Sequence, residues 1–125
     1  METRVGRYLI CGLIDPRDRC LRYIGKTHKR KEWRLEGHLE SAKQGSSAPV
    51  HEWIRELQSV GKEPEIFVVA RIPREASWQQ AEREEIAKWR AWPATNLPYI
   101  HPPQTPKSTE TEIFRVSLLN VQNGG

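Results

Sequence analysis

The chain has little that would anchor it in a membrane or cross-link it. None of its 125 residues belong to an apolar run of the roughly 18 residues that a membrane-spanning helix needs. The opening Met1-Glu2-Thr3-Arg4 lacks the apolar core of a secretion signal. Both absences point to the cytoplasm. Cysteine is scarce: Cys11 and Cys20 are the only two, neither in a Cys-x-x-Cys, and no Cys/His set has zinc-ligand spacing. In a chain without a secretion signal they are expected as free thiols, although they flank a predicted hairpin. No helix-turn-helix or zinc module for reading bases is recognisable, and there is no internal repeat. Hydrophobic residues make up 37%, low for a globular chain, and charged residues 29%, slightly high. The length predicts one domain, residues 1–125, with a modest core.

The charge is unevenly spread. Arg17, Arg19, Arg22, Lys26, Lys29, Arg30, Lys31 and Arg34 face only Asp18 and Glu32 within one segment, so residues 17–34 carry +6 of a net +4. A basic segment on an otherwise near-neutral chain is the footprint of a polyanion.

In chain order, residues 7–14 are mostly apolar and end at Asp15-Pro16, which predicts a buried strand. Residues 20–25 return as its antiparallel partner, and alternation would place Leu21 and Tyr23 on one face, Arg22 and Ile24 on the other. A helix is expected over 32–44 with Leu35, Leu39 and Ala42 inward, and Arg34 and His38 sharing a face beside that stripe. Gly45-Ser46-Ser47 breaks it. Pro49 opens a second helix with Val50, Trp53, Ile54 and Leu57 inward, ended by Gly61. Residues 65–71 form a third strand, apolar enough to be buried on both faces. Ser77-x-x-Gln80 is a capping-box pattern that starts a helix running to about Trp92. Its inward stripe of Trp78, Ala81, Ile86 and Trp89 also contains Glu82 and Glu85. A carboxylate on such a stripe is costly unless it is paired or binds metal. The proline-rich residues 93–112 read as an extended connection, and residues 114–121 as a last strand. The expected class is α+β: a small central, mostly antiparallel sheet flanked by helices. The five tryptophans read as core; His28, His51 and His101 read as surface.

The element order and several motifs resemble the GIY-YIG nuclease superfamily, over residues 7–92 and 113–125. Tyr23-Ile24-Gly25 matches its second signature. Arg34 and His38, in Arg-Leu-Glu-Gly-His, match its helix arginine and the residue four further on. Ala81-Glu82-Arg83-Glu84-Glu85-Ile86 matches the pattern that carries its metal-binding glutamate. Leu118-Leu119-Asn120-Val121-Gln122-Asn123-Gly124-Gly125 matches its closing pattern. The leading tyrosine motif differs: Cys11, 12 positions before Tyr23, stands where the family has tyrosine, while Tyr8 lies 15 positions before and faces away.

The resemblance implies a DNA endonuclease that uses one Mg²⁺ or Mn²⁺. Tyr23 would assist the attacking water, its anion stabilised by nearby cations such as Lys26 and Arg34. Arg34 would stabilise the extra charge of the pentavalent transition state. His38 would hold the phosphate or orient the water. Glu82, with Glu85 as the fallback, would hold a metal that keeps most of its waters. Asn120, with Asn96 as the alternative at that place, would hydrogen-bond within the site. Gly25 would allow a tight turn or a close approach of the phosphate. Lys26, Lys29, Arg30 and Lys31 would contact the DNA backbone, with Trp33 as a possible base-stacking partner. Cys11 in the tyrosine place leaves a second expectation, a weakened or inactive nucleic-acid-binding domain on the same scaffold. Targeting would come from a homodimer or a partner protein.

Overall fold

The computed structural model describes residues 8–28, 30–73, 76–91, 99–101, 111–113 and 115–120. Its class is α+β: three helices around a four-stranded mixed sheet. The order along the chain is β1 (Tyr8–Asp15), β2 (Cys20–Thr27), α1 (Lys31–Lys43), α2 (Pro49–Ser59), β3 (Glu65–Ile72), α3 (Trp78–Ala91), β4 (Tyr99–His101), β5 (Thr111–Ile113) and β6 (Arg115–Val116). The sheet order is β3-β1-β2-β6. β1 pairs antiparallel with β2 and β3, and β6 runs parallel to β2.

The sheet separates two apolar clusters. Ile10, Ile14, Leu21, Ile24, Phe67 and Ile72 pack with Trp89, and the α3 residues Ala81 and Ile86 cover them. On the other face Leu13 packs with Ala42 of α1 and with Val50, Trp53, Ile54 and Leu57 of α2. Ile54 and Leu57 are fully buried, so each contributes roughly 1.5–3 kcal/mol of apolar transfer. The predicted inward stripe of α2 is thus the one observed. In α1, His38 is buried more deeply than Leu35 or Leu39, which sit at the cluster's edge.

The expected facing of β2 is corrected by a β-bulge. Leu13 pairs with Tyr23 but Ile14 pairs with Leu21, so Arg22 is an extra residue in β2. Such an insertion resets the alternation. Leu21 therefore faces the α3 cluster with Ile24, while Tyr23 faces α1 and α2. Arg22 turns to that same side, its guanidinium 6.0 Å from the Trp53 ring.

Three further expectations need adjustment. The last strand is only two residues long. Beyond it the chain follows β2 through Ser117 N–H to Leu21 O at 3.0 Å and Leu119 N–H to Arg22 O at 2.6 Å. The Arg22 bulge breaks the even spacing that a parallel ladder requires. The proline-rich connection contains strands: β4 and β5 pair antiparallel, Tyr99 opposite Ile113, and Ile113 is fully buried in the α3-side cluster. The capping box is half formed: Ser77 Oγ accepts the Gln80 N–H at 3.2 Å, but the Gln80 amide donates to Glu84 instead. Gly45 closes α1 at φ +91°, and Ser46 N–H then reaches back to Ser41 O, which turns the chain towards α2.

Both cysteines are buried free thiols, as expected. Trp53 and Trp89 are buried, whereas Trp33 is 54% exposed, against the reading of the tryptophans as core. No described helix is long and apolar enough to cross a membrane.

Candidate active site

β2 is covered by β6 only at Cys20 and Leu21. Beyond them its outer backbone groups need other partners, because an unpaired buried N–H or C=O is costly. Two side chains supply these. Asn120 accepts the Ile24 N–H at 3.0 Å through Oδ1 and donates to Ile24 O at 2.6 Å through Nδ2. Glu82 Oε2 accepts the Lys26 N–H at 3.2 Å. α3 and α1 thus flank one open sheet edge, and a cleft of about 1130 Å³ lies between them.

Tyr23, Arg34, His38, Glu82 and Asn120 all line this cleft. They come from β2, α1, α3 and the segment after β6, and are far apart in sequence. Asn120 spends both ends of its amide on β2, so its place in the geometry is that of a strand-edge cap. Asn96 and Lys29 lie outside the described residues.

Tyr23 folds back over Gly25. A methyl group on Gly25 would meet Tyr23 Cε2 at 2.8 Å, closer than carbon atoms pack. The glycine therefore seats the phenol ring, a different reason for its place from a turn or a phosphate approach. Burial pushes the Tyr23 hydroxyl above its usual pKa; the hydrogen-bonded Arg34 guanidinium opposes this and the Glu82 carboxylate adds to it. The His38 ring meets Tyr23 edge to face, centroids 5.1 Å apart at 78°.

His38 is 4% exposed and its pKa is lowered to about 3 by burial, with the positive charge of Arg34 and its neighbour His51 acting in the same direction. Its Nδ1 lies 3.1 Å from His51 Nε2. His38 Nε2 and Arg34 Nε are both buried, with no hydrogen-bond partner among the described residues. Most such atoms in a folded protein are satisfied; Arg22 Nε, outside the cleft wall, is a further one without a partner among the described residues, and the pair in the cleft leaves two donor positions open there.

Cys11 pairs with Gly25 and faces the same side as Tyr23. It is 3% exposed, and burial pushes its thiol up to about 11 against the pull of Lys31 and Arg34. It brings neither a charge nor a hydroxyl to the cleft. Glu85, the fallback carboxylate, turns to Lys88 at 3.1 Å and is not part of the cleft wall.

No group of three or more His, Cys, Asp or Glu able to hold a metal occurs among the described residues. A site built wholly from protein ligands, as zinc or calcium requires, does not fit. Glu82 fits a magnesium-like ion, which takes one carboxylate and completes its shell with water and substrate phosphate. Oε1 of Glu82 has no hydrogen-bond partner among the described residues.

The basic segment divides. Arg17 pairs with Asp15 at 2.7 Å and Glu56 at 3.2 Å, and Arg19 with Glu65 at 2.8 Å, all at the hairpin turn. Lys31 pairs with Glu32 at 2.8 Å. Lys26 Nζ lies 4.5 Å from the Trp78 ring and 5.4 Å from the Tyr8 ring. Arg30 is exposed. Five polar residues of the cleft were missed by the sequence reading: Ser41 of α1, His51 of α2, and Gln79, Arg83 and Arg90 of α3. The two arginines follow a helical signal, since Glu82, Ile86 and Arg90 recur every four residues along one face and Arg83 lies three residues before Ile86. Nothing local marks His51, which only tertiary packing brings to His38.

No protein-family model, curated protein or solved structure matches the chain.

Proposed function

We propose that the cleft hydrolyses DNA phosphodiester bonds in the manner of a GIY-YIG endonuclease. One observation carries the reading: Tyr23, Arg34, His38 and Glu82 line one cleft, and Arg34 Nε and His38 Nε2 have no partner among the described residues. This grouping supplies both donors for an anion and a carboxylate for a cation. A water oxygen would form the new bond to phosphorus while its proton passes to the Tyr23 oxygen, and the bond from phosphorus to the 3′-oxygen breaks. Tyr23 can accept that proton only as its anion, and the adjacent Arg34 is the chain's own group that favours the anion. Arg34 also meets the charge that builds on the phosphate oxygens. One Mg²⁺ or Mn²⁺ held by Glu82 would polarise the phosphate and stabilise the leaving oxygen. Arg83 and Arg90, on the wall opposite Arg34, would position the strand. The reading includes a cytoplasmic location and targeting by a second copy or a partner protein.

The test is nicking of supercoiled plasmid with Mg²⁺, with Mn²⁺ and with EDTA. Cleavage in either metal, none in EDTA, and none by a folded Glu82→Ala variant is the expected result. Wild-type cleavage by that variant would remove Glu82 from the mechanism.

A second reading has its own support in Cys11. The buried thiol cannot do what a tyrosine hydroxyl would do at that place, which favours a domain that binds nucleic acid without cutting it. Salt-sensitive DNA binding with no metal-dependent nicking would select it.

A further inference from the structure

His51 connects the cleft to the loop between α1 and α2. Its Nδ1 lies 2.6 Å from Ser46 Oγ and its Nε2 lies 3.1 Å from His38 Nδ1. Ser46 Oγ also accepts the Ala48 N–H at 3.2 Å. A backbone N–H can only donate, so one direction in this chain is fixed.

The remaining directions depend on the tautomers, and the short Ser46–His51 contact favours one set. A serine hydroxyl has one proton to give. The Ala48 bond occupies one lone pair of Oγ, and His51 Nδ1 is the hydroxyl's partner. The short 2.6 Å separation suits a hydroxyl donating to an imidazole nitrogen. A neutral imidazole protonates one nitrogen only. With Nδ1 accepting, His51 carries its proton on Nε2 and donates to His38 Nδ1. His38 must then carry its own proton on Nε2. Reversing the chain would make Ser46 Oγ accept twice and turn its proton to solvent, which the half-buried side chain reaches, so the short 2.6 Å contact is what favours the first direction. The neutral state is supported separately: burial and the nearby Arg34 lower the pKa of both imidazoles, with Arg55 adding to the effect at His51.

We propose that the Ser46–His51–His38 chain fixes His38 as the tautomer with its proton on Nε2, so that His38 donates a hydrogen bond to an anion in the cleft and does not act as a base. His51 is the positioning residue. The two ring nitrogens diverge, so Nε2 points away from His51, and it is the buried atom without a partner. The identity of the anion as a backbone phosphate rests on the nuclease reading; the tautomer does not. If both hold, His38 is excluded as the acceptor of the water's proton, and Tyr23 keeps that role.

The experiment is a long-range ¹H–¹⁵N correlation spectrum of the whole ¹⁵N-labelled chain, near neutral pH, with and without a short DNA duplex in EDTA. The expected spectrum shows a protonated, pyrrole-type Nε2 and a pyridine-type Nδ1 on His38, and the Nε2 proton shifts when duplex is added. Ser46→Ala removes the donor that sets the direction and should give mixed tautomers. In His51→Gln the amide still donates to His38 Nδ1, so the tautomer persists; in His51→Leu it is lost. Where plasmid nicking is observed, His51→Leu should slow it by about two- to several-fold, in proportion to the share of the Nε2-protonated form that is lost, and His51→Gln by less. A pyridine-type Nε2 on His38 in the native chain overturns the proposal whether or not the protein cuts DNA. A pyrrole-type Nε2 that does not move while the duplex binds overturns the donor role. Failure of the nuclease reading would appear elsewhere, in the metal and Glu82→Ala arms of the nicking assay.

Discussion

Asp15 and His38 are equally buried, each 4% exposed, yet one is crowded with partners and the other is not. Asp15 accepts the Arg17 N–H at 2.8 Å, Arg17 Nε at 3.0 Å, Arg17 Nη2 at 2.7 Å and the Trp53 indole N–H at 3.0 Å. Burial alone would raise its pKa, but those four bonds hold the carboxyl down at about 2. Its charge has no capacity left for a ligand. It ties the hairpin turn to α2, and Arg17 extends the tie to Glu56. His38 has one nitrogen engaged, and its neighbour Arg34 has an unpaired Nε. Folding pays for an unpaired buried donor with about 1–3 kcal/mol. Asp15 is satisfied fully and the cleft donors are not, which is the division between scaffold and recognition surface that the proposed function requires.

The largest effect that would break this contrast comes from Arg34. Arg34→Ala should slow plasmid nicking by roughly 10²–10³-fold, as loss of a transition-state donor does. Nε has no bond to lose among the described residues, so the cost is that of the guanidinium's bond to the Tyr23 hydroxyl, and the thermal midpoint should fall by about 3–6 °C. A large drop in the midpoint with nicking preserved would make Arg34 part of the scaffold, like Arg17.

The two clusters should also respond to acid in separate pH windows. The folded pKa of His38 lies near 3, below the ordinary 6.5, so between these values the unfolded chain binds a proton that the folded chain does not. Stability from this site is complete above pH 6.5 and falls as the pH drops towards 3, by up to about 1.4 kcal/mol per pH unit. His51, also lowered, adds to the same limb. Asp15 remains ionised in the folded chain down to about 2, against 3.8. Its contribution, roughly 2 kcal/mol, is complete above pH 3.8 and is lost between 3.8 and 2. Urea unfolding across pH 3–8 should show the first limb flattened in His38→Gln and retained in Asp15→Asn. At neutral pH the second variant should lose roughly 2 kcal/mol. An unchanged slope between pH 4 and 6.5 in His38→Gln would mean that the cleft is not the acid-sensitive region.

Patterns that repeat within one element were legible in the sequence. The inward stripes of α2 and α3 follow from 3.6-residue periodicity, and the capped start of α3 from Ser77. Glu82 could be singled out because it breaks the apolar stripe. What escaped depends on relations between elements. The Arg22 bulge adds one residue to β2, and no alternation rule applied to β2 alone can locate it. Asn120 lines the cleft as its motif implies, but that its amide closes the edge left open by the short β6 depends on the pairing of two distant segments. The pairing of β4 with β5 lies in a stretch whose prolines signal a connection. His51 carries no periodic signal at all. Charge follows the same rule: residues 17–34 carry +6, but Arg17 and Arg19 face carboxylates at the turn, and the cleft takes Arg83 and Arg90 from α3.

That last difference leads to the smallest and sharpest effect. Lys26 follows the Tyr23-Ile24-Gly25 motif and reads as a phosphate contact, yet its ammonium lies against the faces of Trp78 and Tyr8. A cation on an aromatic face gains about 0.5–1 kcal/mol where solvent reaches it and has less reason to leave for a phosphate. Arg83 is exposed on the cleft wall, with no ring or carboxylate holding it among the described residues. Each phosphate contact contributes about one unit to the slope of log affinity against log salt. Arg83→Gln should therefore reduce that slope by about 1, and Lys26→Gln should leave it nearly unchanged while lowering the thermal midpoint slightly. The measurement is duplex binding in EDTA over a range of salt concentrations. The reverse pattern would return the footprint to the basic segment before α1. It would also mean that the aromatic faces release Lys26 when DNA arrives, so that the division between scaffold and recognition cations fails at this residue while it holds at Arg17 and Arg34.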